Sequence, residues 1–298
     1  MKNILITGGS SLLAFNWIIA RRKINKIYIL LNTRIVSIPN TIGIECNLDN
    51  IENIREIIKK YNIECCIHTA GLTDVEICEQ RPNLAYYINV KLSKNVATAC
   101  SKEKIKLVHI STDHLHNGCK NFLDENKKLE PQNIYGKTKA KAETMVSENY
   151  PSSLIIRSNF FGYSPIYKKS FSDRILNSCV KKQEILLFSD VYFCPILATN
   201  LANISHKLIE KRAKGIFNIV SHERVSKYEF GLMLIKTFNL DIKFIKKGFF
   251  NDIKGLTVRP MDMSLSNKKL CNFIGHDIQT LKQQLSEYKN EHTILAEK

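Results

Sequence analysis

The first half of this 298-residue chain alternates short apolar runs with segments of helical period, and that alternation leaves few folds open. Asn3–Thr7, Lys26–Leu31, Ile42–Cys46, Cys65–Thr69, Lys106–Ser111 and Leu154–Arg157 read as strands, with helices between them. Ile51, Ile54, Ile57, Ile58 and Tyr61 fall on one helical stripe, the pattern of a helix laid on a sheet. The expected class is therefore α/β, a doubly wound parallel sheet of Rossmann type.

Beyond Arg157 the pattern is less regular. An aromatic loop (Phe160, Phe161, Tyr163, Tyr167) leads into a helix around Phe171–Lys182. A strand, a helix and a strand then return near Glu184–Phe188, Thr199–Lys211 and Gly215–Val220. The expected division is a first domain at 1–157 with returning segments near 184–222, and a smaller interleaved lobe over most of 158–298. Only 19 residues are Gly or Pro, and no repeat or low-complexity linker separates the two parts.

Composition bounds the rest. An apolar share of 44% with 24% charged residues is ordinary for a globular protein, and no apolar run nears the ~20 residues of a membrane span. A strand starting at residue 3 leaves no room for a secretory signal, so the expected compartment is the cytoplasm. The nine cysteines include no C-x-x-C pair and predict reduced, mostly buried thiols. The +16 charge is spread along the chain without interleaved aromatics, so it fits an anionic small molecule such as a nucleotide sugar and does not imply nucleic acid.

Chemistry concentrates in four places. Thr7-Gly8-Gly9-Ser10-Ser11-Leu12-Leu13-Ala14 follows a strand and opens a helix, the context of a dinucleotide-binding turn. In a G-x-x-G-x-x-G frame, Gly8, Ser11 and Ala14 hold the three places. The hydroxyl at Ser11 stands where glycine normally lets backbone approach a pyrophosphate, although a hydroxyl can itself bond phosphate. Gly8, Ser10, Ser11 and Leu12 are the candidate cofactor contacts there. No acid ends the second strand, and Arg34 just beyond it suits a 2′-phosphate, which favours NADPH over NADH. Asn47 and Leu48 follow the third strand, where adenine would lie, and Thr69, Ala70 and Gly71 end the fourth with small residues suited to a flat ligand. Ser111-Thr112 ends the fifth strand, at the edge where open α/β sheets bind ligands. Tyr135 and Lys139, four residues apart on a helix, share a face, so an ammonium can sit near a phenol and lower its pKa. His114 and His116 lack a third ligand at useful spacing, and no metal site is expected. The run Asp124-Glu125-Asn126-Lys127-Lys128 reads as a solvated loop.

The chain resembles an extended short-chain dehydrogenase/reductase, and within that superfamily the dTDP-4-dehydrorhamnose reductase family over nearly its whole length. Besides Tyr135 and Lys139, the resemblance rests on His68–Glu76, Cys78–Pro82 leading to Asn89-Val90, Ile110–Asp113, Leu154–Ser158, Ser226–Phe230 and Arg259-Pro260. It implies a Rossmann domain with a substrate lobe, and NADPH-dependent reduction of a nucleoside-diphosphate 4-keto-6-deoxy sugar, as in surface polysaccharide synthesis. It further implies that Tyr135 protonates the developing alkoxide, that Lys139 bonds the nicotinamide ribose and lowers the tyrosine pKa, and that Thr112 holds the reacting oxygen. Asn89 falls beside the cofactor; Thr73, Asp113, His114, Phe160 and Arg259 fall on the substrate side. A homodimer is one open assembly, and the sequence does not fix the oligomeric state. Two other functions stay open: an epimerase or dehydratase of the same fold, and a non-catalytic regulatory subunit like the beta subunit of methionine adenosyltransferase.

Overall fold

The computed structural model describes residues 2–165 and 167–296. In chain order its elements are β1 (Asn3–Thr7), α1 (Leu12–Arg21), β2 (Lys26–Leu31), β3 (Thr41–Glu45), α2 (Ile51–Lys60), β4 (Cys65–His68), α3 (Val75–Gln80), α4 (Pro82–Tyr86), α5 (Leu92–Lys102), β5 (Lys106–Ile110) and α6 (Ile134–Asn149). These are followed by β6 (Leu154–Arg157), β7 (Phe160–Phe161), α7 (Phe171–Val180), β8 (Ile185–Phe188), β9 (Tyr192–Phe193), β10 (Ile196–Leu197), α8 (Ala198–Glu210), β11 (Gly215–Asn218), β12 (Val225–Ser226), α9 (Lys227–Thr237), β13 (Ile245–Gly248), α10 (Lys268–Ile274) and α11 (Leu281–Ala296).

Seven strands form one parallel sheet in the order β11-β6-β5-β4-β1-β2-β3. Its central strands carry apolar side chains on both faces because helices cover both. Ile4, Ile6, Ile27 and Ile29 pack with Trp17 and Ile18 of α1 and with Leu201 and Leu208 of α8, while Leu5, Tyr28, Leu30 and Cys66 pack with Ile54 and Ile58 of α2 and Val96 of α5. The chain winds outward from β1 in one direction to β3 and then, from β4, in the other. The strand order therefore reverses between β1 and β4, and the crevice beyond their carboxyl ends is where such sheets bind ligands.

Local signals set the helix starts. The side chains of Asn50, Asp74 and Asn133 accept first-turn amides of α2, α3 and α6, and Ser170 and Ser226 complete reciprocal capping boxes on α7 and α9. Between α4 and α5 the helix widens into a π turn at Tyr87–Lys91, which turns Asn89 inward.

The smaller lobe contains three two-stranded pieces, β7 with β10, β9 with β12 and β8 with β13, around a core of Phe161, Phe193, Phe230 and Tyr288. The returning region divides between the two layers. Helix α8 lies against α1, and β11 extends the main sheet beside β6, but Ile185–Phe188 pairs with Ile245–Gly248 and lies outside that sheet. The reason is pattern: Leu187 alone of this strand is fully buried, and a strand inside a parallel sheet needs both faces apolar. The expected solvated run near Asp124 also differs, since Glu125 is buried and its carboxylate accepts the Asn218 amide at 2.8 Å. A lone carboxylate in a charged run finds a buried donor that only the fold supplies. The nine cysteines are all free and seven are buried. Among the described residues no helix is long and apolar enough to cross a membrane.

Candidate active site

A cavity of about 300 Å³ opens at the β1/β4 crevice and runs between the two lobes. One wall is the turn after β1. Gly8 has φ +65°, and a Cβ there would stand 2.7 Å from the Ala70 Cα, so only glycine lets this turn press against the end of β4. Helix α1 then presents its first-turn amides at Leu12 and Leu13, which have no intrahelical acceptor, into the cavity. This is a cradle for an anion at a helix N-terminus, and with the small residues Ala70 and Gly71 beside it the site fits a dinucleotide.

Ser11 lines the cavity, but its hydroxyl is turned to the protein: it accepts the Ala14 amide at 3.1 Å as the α1 cap and meets the Thr69 hydroxyl at 2.9 Å. Thr69 in turn donates to the Thr7 carbonyl at 2.8 Å. The Cβ at the second place of the glycine frame is thus accommodated by a cap, and the phosphate cradle is backbone.

The opposite wall carries the chemistry. Strand β5 delivers Ser111, Thr112, Asp113 and His114, and α6, capped by Asn133, delivers Tyr135 and Lys139 to the same space. Thr112 and Tyr135 both line this space, and Tyr135 is buried. Burial pushes the Tyr135 phenol well up, with Asp113 adding to the shift and Thr112 opposing it. This reverses the expected lowering by Lys139. Its ammonium donates to the Ile110 carbonyl at 2.7 Å, so desolvation of the phenolate dominates. Burial also pushes Lys139 down to about 8, against the Glu143 carboxylate one turn on. His114 packs edge-on to Tyr135 with ring centroids 5.4 Å apart and is held neutral by burial.

Ser11, Leu12, Thr69, Ala70, Gly71, Thr73, Thr112, Asp113, His114, Tyr135, Lys139 and Phe160 all line this cavity. Others do not. Asn89 is a brace, bonded to the Leu72 amide and carbonyl and to the Thr138 hydroxyl. Leu48 lies in the core behind the sheet, and Asn47 is exposed beside a separate cavity over the ends of β2 and β3. Ser10 lies in the β1 turn outside the cavity lining, and Arg34 is exposed with its guanidinium 4.9 Å from the Tyr167 ring. Arg259 donates to Glu76 at 2.7 Å, tying the smaller lobe to α3. His116 bonds the Lys128 carbonyl, and the one group of possible metal donors among the described residues, His222, Cys271 and Asp277, lies elsewhere. Sequence reasoning missed Asn159, which donates to Asp113 at 2.6 Å, and the Lys168–Phe171 stretch that closes the cavity. The aromatic run from Phe160 marked the loop but not the lysines behind it.

A doubly wound parallel sheet with a dinucleotide cradle at its switch point, and two hydroxyls with a lysine at the next strand end, is the arrangement of a Rossmann-type fold of the short-chain dehydrogenase kind. The family model described as RmlD substrate binding domain matches residues 1–294, and the chain belongs to that family, which includes dTDP-4-dehydrorhamnose reductases. A probable low-salt glycan biosynthesis reductase of Haloferax volcanii is 25% identical over 81% of this chain and 82% of its own. The methionine adenosyltransferase 2 subunit beta of Xenopus laevis is 26% identical over 76% of this chain and 70% of its own. Among solved structures, a dTDP-4-dehydrorhamnose reductase from Bacillus anthracis in complex with NADP superposes with a TM-score of 0.86 at 22% identity, covering 98% of this chain and all of that one.

Proposed function

We propose that this protein uses NADPH to reduce the 4-keto group of a nucleoside-diphosphate 4-keto-6-deoxy sugar. The observation that carries the reading is the convergence of Thr112, Tyr135 and Lys139 one strand from the β1/β4 crevice. The Leu12 and Leu13 amides would hold the pyrophosphate and Arg34 the 2′-phosphate. When bound, the dinucleotide supplies the hydride.

The residues then have distinct tasks. Thr112 orients the carbonyl oxygen, and Tyr135 gives that oxygen its proton as negative charge develops. A phenol raised by burial stays fully protonated at neutral pH, so the proton is present when needed. Lys139, released from the Ile110 carbonyl toward the nicotinamide ribose, lowers the energy of the phenolate left behind. Asp113, held by Asn159 and Thr112, fixes the strand end on which Thr112 stands.

The test is NADPH oxidation in the presence of dTDP- and UDP-4-keto-6-deoxy sugars. Tyr135→Phe should lower turnover by about 10²- to 10⁴-fold with unchanged NADPH affinity. Turnover that persists in Tyr135→Phe rules out the proton role. Absence of turnover together with co-purification of a larger enzyme would instead support the regulatory-subunit reading.

A further inference from the structure

Three side chains of different chemistry converge beside the edge strand of the main sheet, and none of them lines the cleft. A ring nitrogen of His222, the sulfur of Cys271 and a carboxylate oxygen of Asp277 all lie within 4.8 Å of one another. His222 follows β11, Cys271 stands in α10 and Asp277 comes just after that helix. Among the described residues no other group of His, Cys, Asp and Glu side chains comes together in this way.

The fold builds the convergence from two directions. Gly275 ends α10 in the left-handed region at φ +85°, and its amide bonds the Cys271 carbonyl at 2.9 Å. The chain therefore doubles back over the last turn of α10, which returns Asp277 to the side of Cys271. His222 arrives through packing of β11 on the same helix. Asn267, at the start of α10, donates to the Val220 carbonyl at 2.9 Å, and the Phe273 ring meets that of Phe217 edge-on with centroids 5.3 Å apart. Next in the chain, Glu223 accepts the Leu281 amide of α11 at 2.9 Å, and its second carboxylate oxygen is buried without a hydrogen-bond partner.

An ordinary surface contact explains only part of this. His222 Nε2 lies 3.7 Å from Asp277 Oδ1, an exposed pair of a kind that contributes little and gives no reason for a thiol to be the third member. All nine cysteines are free, so no disulfide accounts for Cys271. Imidazole, thiolate and carboxylate together are the donors that Zn²⁺ takes, and sulfur with nitrogen selects against Mg²⁺ and Ca²⁺. A tetrahedral Zn²⁺ with bonds of about 2.0–2.3 Å holds its donors roughly 3.4–3.7 Å apart, so the three side chains need to close by at most about 1 Å. The Asp277 side chain is 83% exposed, which leaves an entry path and room for a water as fourth ligand.

We infer that His222, Cys271 and Asp277 form a zinc site that clips the edge of the main sheet to the C-terminal helices. On binding, the thiol proton passes to solvent as the sulfur lone pair forms the Zn–S bond, while the imidazole binds neutral and the carboxylate ionised. No electron is transferred. Helix α11, which begins just beyond Asp277, gives Leu281, Leu285 and Tyr288 to the core of the smaller lobe, so the clip joins the two lobes on a side away from the cleft. A metal bound by the folded chain and not by the unfolded one stabilises the fold by mass action.

The experiment uses the full chain with Cys119→Ser, which removes the exposed thiol, after chelator treatment and gel filtration. Co²⁺, the spectroscopic stand-in for Zn²⁺, should bind at one equivalent and give the intense visible bands of a tetrahedral site with a near-ultraviolet thiolate-to-cobalt band. Zn²⁺ should displace it and raise the melting temperature. Cys271→Ser should lose the near-ultraviolet band. Cys271→Ser, His222→Gln and Asp277→Asn should each weaken Zn²⁺ in competition with a chromophoric chelator by at least about tenfold, the least that losing even an outer-shell partner costs, and each should lose the thermal shift. NADP affinity should stay as it was in all three. Cys271→Ala serves the same comparison if the serine variant does not fold. A thiolate band that survives replacement of Cys271 would overturn the site. So would a parent protein that shows only the weak bands of octahedral cobalt, or a melting temperature that Zn²⁺ leaves in place.

Discussion

At the residue scale, the site is a contest between burial and charge. Lys139 and Tyr135 are both desolvated, and desolvation drives their pKa values apart, the phenol up and the ammonium down to about 8. An unfolded lysine keeps its proton to its ordinary 10.5, so between about 8 and 10.5 the unfolded chain binds more protons and stability rises with pH. Below about 8 the folded protein carries the full burden of a buried cation. Lys139→Met should therefore melt higher than wild type at pH 7 yet be inactive, with the gap between their melting temperatures closing by pH 10. Melting curves that stay parallel across that range would contradict the linkage. The tyrosine–lysine pair was legible from its spacing alone, but the sign of the tyrosine shift was not, because the Ile110 carbonyl that draws the ammonium away comes from a strand 29 residues earlier.

At the element scale, α6 is the part that must hold its register, since a slip would move Tyr135 and Lys139 off the strand end together. Its anchor is Glu143, one turn past Lys139, in a buried bidentate pair with Arg157 of β6 at 2.7 Å. The two side chains are 4% and 2% exposed, so removing one leaves the other charged and dry. Glu143→Ala should cost about 3–5 kcal/mol of unfolding free energy in denaturant titrations; a loss below about 1 kcal/mol would mean water reaches the pair. Helix α1 makes the opposite case. The Ser11 hydroxyl caps the helix and bonds Thr69, away from the phosphate cradle. Ser11→Gly should change stability by only a few tenths of a kcal/mol and NADPH affinity by less than about twofold. A large gain in affinity on titration would show that the side chain had been in the way. The strand–turn–helix at Gly8 was readable in the sequence, whereas the direction of one hydroxyl within it depended on Thr69 arriving from β4.

At the scale of the whole molecule, function depends on two lobes meeting over one crevice. They are joined by Asn16 of α1, which bonds the Tyr163 backbone on both sides, by Glu76 holding Thr257 and Arg259, and by Arg34 lying on Tyr167. If Arg34 reads the 2′-phosphate, Arg34→Ala should weaken NADPH by about ten- to a hundredfold, the worth of a charge-assisted contact, and leave NADH nearly unchanged in fluorescence titration. Equal losses for both would assign Arg34 to the lobe contact with Tyr167 instead. The sequence by itself determined the parallel sheet, because strands apolar on both faces alternating with one-sided helices have few other ways to be buried. It also determined which residues meet at the crevice, because Gly8, Thr112, Tyr135 and Lys139 sit at positions read from local period and spacing. Tertiary structure alone decided that Ile185–Phe188 joins the small lobe, that Glu125 is buried and that Arg259 faces Glu76. It likewise decided that the Lys227 ammonium lies 3.3 Å from the centre of the Phe193 ring. Each of these depends on partners tens of residues or more away in the chain, and short-range pattern carries no record of which distant group will supply the other half of a contact.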